Sequence, residues 1–403
     1  MFRNLYEDAS LSAILAGMIA TLISYAGPLV IIFHAAEGLS PALLQSWVWT
    51  ISIGSGVLGI LLSLKYRVPV VIAWSAPGSA LLITLLPTVD FPAAVGAYLV
   101  ASLVTLAIGV TGSFDRIVSK LPAGISAAML AGILFGFATK TFTALPAQPA
   151  MVGAMFVAFF VGRRWFPRYA TVGVLVVGSA VAILGGKLTG HAPSIEFTLP
   201  TWTTPRFEWQ AIVNIALPLA VVALTGQWMP GMAVLRASGY PKPGAGSLIG
   251  WTAAASALLA PFGCHGLNLA AITAAICTGH ESHEDPARRY VAGVSGGLLY
   301  LVLGCFAATV LSLFAMLPNE LIAALAGLAL FPTIASALAI SMGDAKDRDA
   351  ALVTFTVSAS GMTLFGLGAA FWGLLFGVAA HALLQWRFAR AARIAPAAGS
   401  SNR

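Results

Sequence analysis

Two short stretches, Ser75-Ala76-Pro77-Gly78 and His265-Gly266-Leu267-Asn268-Leu269, carry polar groups set deep inside apolar runs of this 403-residue chain. Each is followed by residues that read as a short helix, and Pro77 suits a first helical turn, where a missing N–H costs nothing. A helix start presents unpaired N–H groups and partial positive charge, worth up to about 2 kcal/mol to an anion in partly buried surroundings. The groups gathered by position with these stretches are neutral: Ser24, Tyr25, Gln227, and the indoles of Trp74 and Trp228. Every Asp and Glu falls at the end of an apolar run or between runs, so no acid is placed to repel an anion. The chemistry that fits is an apolar, aromatic-lined pocket with a few hydrogen-bond donors, suited to a flat aromatic carboxylate. Its carboxylate would dock on the backbone N–H groups from Ser75 through Ala76 to Gly78 and from Leu267 through Asn268 and Leu269 to Ala270. Asn268 and Gln227 would assist, and the ring would pack on Tyr25.

Each of these residues also has a plainer reading. Tyr25 and the tryptophans serve equally well as packing or interface residues of membrane helices. Gln227 and Asn268 have the chemistry of interhelical hydrogen-bond bridges. His265 is the one titratable group near the centre: it is either a structural hydrogen bonder or a proton site, since a histidine's protonation is readily moved across the working pH range. If it is the proton site, His265→Gln should bind substrate but lose gradient-driven accumulation. Cys264, Cys277 and Cys305 form no CxxC pair or metal spacing and read as packing residues. The run Gly279-His280-Glu281-Ser282-His283-Glu284-Asp285 reads as a solvated loop, and no metal or cofactor is expected.

The elements that position these groups follow from composition. Charged residues make up 9% and apolar ones 59% of the chain, against roughly 25% and 45–50% in soluble domains. A crossing of the hydrocarbon layer needs about 20 mostly apolar residues, with every backbone group paired internally. Barrel strands would alternate polar and apolar, and this sequence does not. Apolar runs between polar breaks give fourteen segments, at 10–33, 41–63, 69–87, 92–112, 122–140, 148–162, 170–188, 209–233, 244–261, 264–279, 289–315, 319–341, 349–364 and 367–388. No small-residue cleavage site follows a short apolar core near the start, so the first segment is expected to stay.

With the N-terminus inside, eighteen of the 21 basic residues fall on the cytoplasmic side: Arg3, Lys65, Arg67, Arg116, Lys120, Arg163, Arg164, Arg168, Arg236, Lys242, Arg288, Arg289, Lys346, Arg348, Arg387, Arg390, Arg393 and Arg403. Lys140, Lys187 and Arg206 remain outside. That bias is the signature of cytoplasmic loops, so both termini are expected in the cytoplasm. The net charge of +7 is spread over these loops and not over one face, which speaks against a nucleic-acid partner.

Two internal similarities share one offset. Leu121-Pro122, Ala127-Ala128 and Leu130-Ala131-Gly132 recur as Leu317-Pro318, Ala323-Ala324 and Leu325-Ala326-Gly327, and the first segment up to Gly27-Pro28 resembles the eighth up to Gly226 and Pro230. Repeats of seven spans enter the membrane from opposite sides, the inverted design of many carriers. The third segment of each half is broken alike: an extended piece, then a half-helix, from Ala76 in one and from about Asn268 in the other. Extended backbone is tolerated at that depth only inside protein, so the two pieces are expected to pair at mid-membrane and aim their half-helices at one point. The alternative is a pair of ordinary helices kinked by proline and glycine.

The stretches Pro69-Val-Val-Ile-Ala-Trp-Ser-Ala-Pro-Gly-Ser-Ala-Leu-Leu82, Leu130-Ala-Gly-Ile-Leu-Phe135 and Pro261-Phe-Gly-Cys-His-Gly-Leu-Asn-Leu-Ala-Ala-Ile-Thr-Ala-Ala-Ile276 resemble the benzoate transporters of the BenE type, over nearly the whole chain. That family is similar to the nucleobase:cation symporters and the sulfate/anion exchangers. The resemblance implies an all-α membrane protein of two inverted seven-span repeats. A core domain would comprise 10–112 and 209–315, a gate domain 121–188 and 317–388, and a cytoplasmic tail 389–403. It further implies a non-enzymatic secondary transporter of the bacterial inner membrane that imports benzoate with a proton by alternating access, in many cases as a homodimer. Nucleobase carriers bind the base through glutamates in spans eight and ten; Gln227 and Asn268 stand in those regions here, which favours an anion. Another anion or a nucleobase on the same fold, or an anion channel, are the alternatives.

Overall fold

The computed structural model describes residues 5, 7–118, 122–188, 195–280, 282–365 and 367–394. Arg3, Lys120, Leu121, Glu281 and Arg403 of the sequence reading lie outside the described residues. The chain is mostly helical. Among the described residues seven helices are long and apolar enough to cross a membrane, eight if one pair bent by 75° counts as a single span. Large apolar side chains such as Val110, Leu184 and Leu258 stand exposed on the outer faces of helices, as they must where hydrocarbon replaces water.

The first half opens with α1 (Leu11–Ala26) and α2 (Pro28–Ala35), separated at Gly27 because Pro28 has no N–H to continue α1. A Cβ on Gly27 would lie 2.9 Å from the Ala329 Cβ and 3.1 Å from the Thr171 Cγ2, so glycine lets this break touch two other helices. Then follow α3 (Pro41–Tyr66), the three-residue β1 (Ile72–Trp74), α4 (Ala76–Leu85), α5 (Phe91–Thr111), α6 (Ala123–Ala144), α7 (Pro149–Trp165) and α8 (Ala170–Leu184). Ser10, Ser40, Ser75 and Asp90 cap α1, α3, α4 and α5, each accepting a backbone N–H of the first turn.

The second half contains α9 (Trp209–Arg236), α10 (Ala245–Leu259), β2 (Leu267–Leu269), α11 (Ile272–Thr278), α12 (Tyr290–Cys305), α13 (Ala307–Ala315), α14 (Asn319–Ser341), α15 (Arg348–Ala359), the hairpin β3 (Thr363–Leu364) and β4 (Leu367–Gly368), and α16 (Ala369–Ile394). The break expected at Gly226 and Pro230 is not a break. Helix α9 runs on through two five-residue π-helical stretches, Ile212–Ala216 and Leu224–Trp228, each ending two residues before a proline, Pro218 or Pro230. A proline removes one i→i−4 bond and crowds the carbonyl it would have met, and widening the turn relieves both without ending the helix.

The interruption that the sequence did not signal lies in segment 289–315, where α12 and α13 meet at Phe306 at 75°. The stretch from Glu196 to Arg206 explains how the bend is satisfied. Thr198 donates its N–H to the Cys305 carbonyl at 2.8 Å, and its hydroxyl accepts the Ala308 N–H at 2.8 Å, so one external residue closes both ends of the broken ladder. Further along, the N–H groups of Thr201, Thr203 and Arg206 bond to the Ser46 hydroxyl and the Pro261 and Pro92 carbonyls. This stretch ties together the ends of α3, α5, α10 and the α12–α13 bend.

The helices pack in two sets. α12 lies along α3 and α1, and α10 lies along α5; α14 lies along α6, with α15 and α16 beside them and α7 against α8. In the first set, β1 and β2 meet antiparallel, with Ile72 opposite Leu269, Ala73 opposite Asn268 and Trp74 opposite Leu267. Both strands are fully buried, which the hydrocarbon setting demands of backbone that is not helical.

Candidate functional site

The site grows outward from these two strands. Ser75 ends β1 and caps α4; its hydroxyl accepts the Gly78 N–H at 2.9 Å, and its carbonyl accepts both the N–H and the hydroxyl of Ser79, at 2.8 and 2.9 Å. Pro77 carries no N–H, so in this first turn the Ala76 N–H is the one left without a partner among the described residues. Gly78 is pressed against Leu219 of α9: a Cβ there would come within 3.1 Å of the Leu219 Cδ2. Of the donors expected on this side, the Gly78 N–H is taken by the Ser75 hydroxyl and the Ala76 N–H is not.

On the opposite strand two of the expected donors are occupied. The Leu267 N–H donates to the Ser256 hydroxyl at 2.9 Å and the Ala270 N–H to the Val71 carbonyl at 2.9 Å. The helix expected from about Asn268 begins at Ile272, because residues 267–269 are drawn into the ladder with β1. Gly266 adopts φ +139°, a conformation that excludes a side chain and turns the chain into β2. Leu267 and Leu269 are buried packing residues, and Leu269 lies under Gly231 of α9, whose Cβ would sit 2.9 Å from the Leu269 Cγ.

Asn268 is buried opposite Ala73, yet its amide makes no hydrogen bond among the described residues. Gln227 lies half-buried in the second π-helical stretch of α9, likewise without a partner among the described residues. One residue away, a Cβ on Gly226 would touch the Leu130 Cδ2 of α6 at 3.4 Å, so Gln227 stands where α9 meets both β2 and α6. The Trp228 and Trp74 indole N–H groups are buried without partners too.

Tyr25, in the last turn of α1, turns inward. Its ring meets Trp74 edge-on at 5.6 Å and Tyr300 at 5.9 Å, while its hydroxyl donates to Ser52, which in turn donates to the Val48 carbonyl. The Tyr25 hydroxyl is thus committed, leaving ring contact as its contribution.

His265 is held at both nitrogens. Trp47 donates its indole N–H to Nδ1 at 3.0 Å, and Nε2 lies 3.0 Å from the Ser79 hydroxyl oxygen. Trp47, Ser79, Ser52 and Tyr300 were not singled out in the sequence. The four-residue spacing of Ser75 and Ser79, which puts both on one face of α4, was a usable sign; for Trp47, 218 residues from His265, there was none.

The sequence matches the benzoate membrane transport protein (BenE) family model over residues 7–383. The chain belongs to the benzoate membrane transport protein family. It is 44% identical over 386 residues to the benzoate membrane transport protein of Acinetobacter baylyi, covering 95% of this chain and 98% of that one. It is 38% identical over 374 residues to the inner membrane protein YdcO of Escherichia coli, covering 92% and 95%. Family membership makes the chain a membrane transporter and not an enzyme. Its fold is similar to the transmembrane domain of the cyanobacterial bicarbonate transporter BicA, with a TM-score of 0.62, 16% identity and coverage of 94% and 98%. It is also similar to SLC26A9, with a TM-score of 0.65, 16% identity and coverage of 94% and 66%. At such identities the likeness speaks for the fold alone. In this family member the strand pair and its two uncommitted amides lie between helices drawn from both halves of the chain.

Proposed function

We propose that this transporter imports benzoate or a related aromatic carboxylate, together with a proton, across the bacterial inner membrane. The observation that carries this reading is the pairing of two unsatisfied amides, Asn268 and Gln227, with the open Ala76 N–H at the start of the ten-residue helix α4. All three can donate to a carboxylate, and no Asp, Glu, Lys or Arg occurs in α3 before Lys65, in α4, in α5 or from 261 to 280. The ring of the substrate would lie among the apolar and aromatic neighbours, with Tyr25, Ser75, Gly78, Gly266, Leu267 and Leu269 shaping the floor.

In this reading the chain crosses fourteen times as two inverted repeats of seven. β1 with α4, and β2 with α11, form the broken third and tenth segments. The core domain (10–112 and 209–315) moves against the gate domain (121–188 and 317–388) to alternate access. The two packing sets support that division. So does their symmetry: second segment against eleventh and fourth against ninth are exchanged by a shift of seven, and fifth against twelfth maps onto itself. Both termini lie in the cytoplasm, as the basic loops favour, and the protein works as a homodimer. The deciding experiment is uptake of labelled benzoate into proteoliposomes under an imposed pH gradient. Gradient-driven uptake competed by unlabelled benzoate is the expected result, and its absence sinks the reading.

A further inference from the structure

The hydrogen bonds around His265 suit one protonation state of its ring. An indole N–H only donates, so the Nδ1 that faces Trp47 at 3.0 Å must be a bare acceptor. A neutral ring then carries its proton on Nε2, which donates to the Ser79 oxygen at 3.0 Å; Ser79 passes its own hydroxyl proton to the Ser75 carbonyl at 2.9 Å. Donors and acceptors match along the whole chain from Trp47 through His265 and Ser79 to Ser75. Adding a proton to Nδ1 would set two N–H groups against each other and break that chain at its first link. Among the described residues no Asp or Glu faces the ring to offset the cost: its neighbours are Trp47 from α3, Tyr98 from α5 at 6.3 Å between centroids, Ser79 from α4 and the Ser75 backbone, all uncharged. The ring is also buried, which disfavours an unpaired charge.

We infer that His265 is a neutral positioning residue, locked by Trp47 and Ser79, that docks the second broken segment onto the cap of the first, and that the coupled proton does not travel on its ring. The bonds run from α3 and the turn before β2 into the Ser75 carbonyl, and so set the angle at which α4 presents Ala76 to the site. This deepens the proposed function, on whose proton symport only the transport arm of the test rests. Of the two roles the sequence left open for His265, the inference takes the structural one.

The test uses the full-length chain in lipid bilayers with 15N-labelled histidine, the His265 signals being those lost in His265→Gln. One bare and one protonated ring nitrogen are expected, unchanged from pH 5 to 8, where an ordinary histidine with a pKa of about 6.5 would titrate. Titration within that window overturns the inference. Trp47→Phe keeps an aromatic ring but removes the donor, so it must move the Nδ1 signal; a signal like that of the wild type overturns it as well. If His265→Gln does not reach the membrane, the signal displaced by Trp47→Phe supplies the assignment. In proteoliposomes His265→Gln is expected to keep gradient-driven accumulation and an unchanged pH profile, with KM raised about fivefold for roughly 1 kcal/mol of lost positioning. Loss of accumulation with exchange at equal pH intact is the contrary result. Should the wild type move no benzoate, the proposed function fails, while the spectroscopic arm needs no substrate and still decides the inference.

Discussion

Asn268→Asp is the sharpest test of an anion site, because it changes almost nothing but charge. Asn268 is buried in β2, its amide has no partner among the described residues, and the isosteric carboxylate fits the same space. If the substrate carboxylate binds within about 4 Å of that position, two like charges at an effective dielectric of about 20 repel by about 4 kcal/mol, roughly a thousandfold in affinity. A neutral amide analogue of benzoate, of the same shape, meets no such repulsion and should bind Asn268→Asp within a few-fold of the wild type. Isothermal titration of purified protein with both ligands at pH 7.5 gives the comparison. Equal loss of both ligands would point to a misfolded strand, and equal retention would place the carboxylate elsewhere; either result refutes the electrostatic argument.

Three further outcomes follow from the geometry. Ser75→Ala deletes the cap on Gly78 and should cost about 1 kcal/mol, read as a roughly fivefold weaker benzoate affinity, whereas Ser75→Thr keeps the cap and most of the affinity. Thr198→Val removes the hydroxyl that accepts the Ala308 N–H in the α12–α13 bend and leaves that group unsatisfied, so the thermal midpoint in detergent should fall, while Thr198→Ser should match the wild type. Asp8, before α1, accepts hydrogen bonds from the Tyr290 hydroxyl and from Arg67, and these hold its carboxyl below its ordinary value of 3.8 despite an opposing desolvation. A lowered folded pKa contributes stability above the unfolded value and loses it as pH falls through the folded one. Asp8→Asn should therefore lower the thermal midpoint at pH 7, and the difference from wild type should shrink below pH 4; a difference that persists in acid would disprove the linkage.

The membrane class and the helical content were legible in the sequence, because each is a local property, and both short strands fall inside the two stretches it marked as unusual. Apolar run length sets the class, and a glycine, proline or serine inside such a run marks a place where helix cannot simply continue. Ser75 as a cap and Pro77 in the first turn of α4 needed nothing beyond their neighbours. The prolines of α9 marked strain but not its resolution: whether a helix breaks or widens into a π-turn depends on what packs against it, here β2 under Gly231 and α6 beside Gly226. The bend at Phe306 was silent, since the residue that satisfies it, Thr198, is more than a hundred positions away. Tertiary structure alone decided the register of the two strands, and with it which N–H groups stay free: Leu267 and Ala270 are spent on Ser256 and Val71, whereas Ala76 is open. It also decided the partners of His265. A histidine's type says only that it can hold a proton; the donor that faces its Nδ1, from Trp47, comes from another segment. Sequence fixes which groups enter the membrane, and the long-range hydrogen bonds determine which of them are left for a ligand.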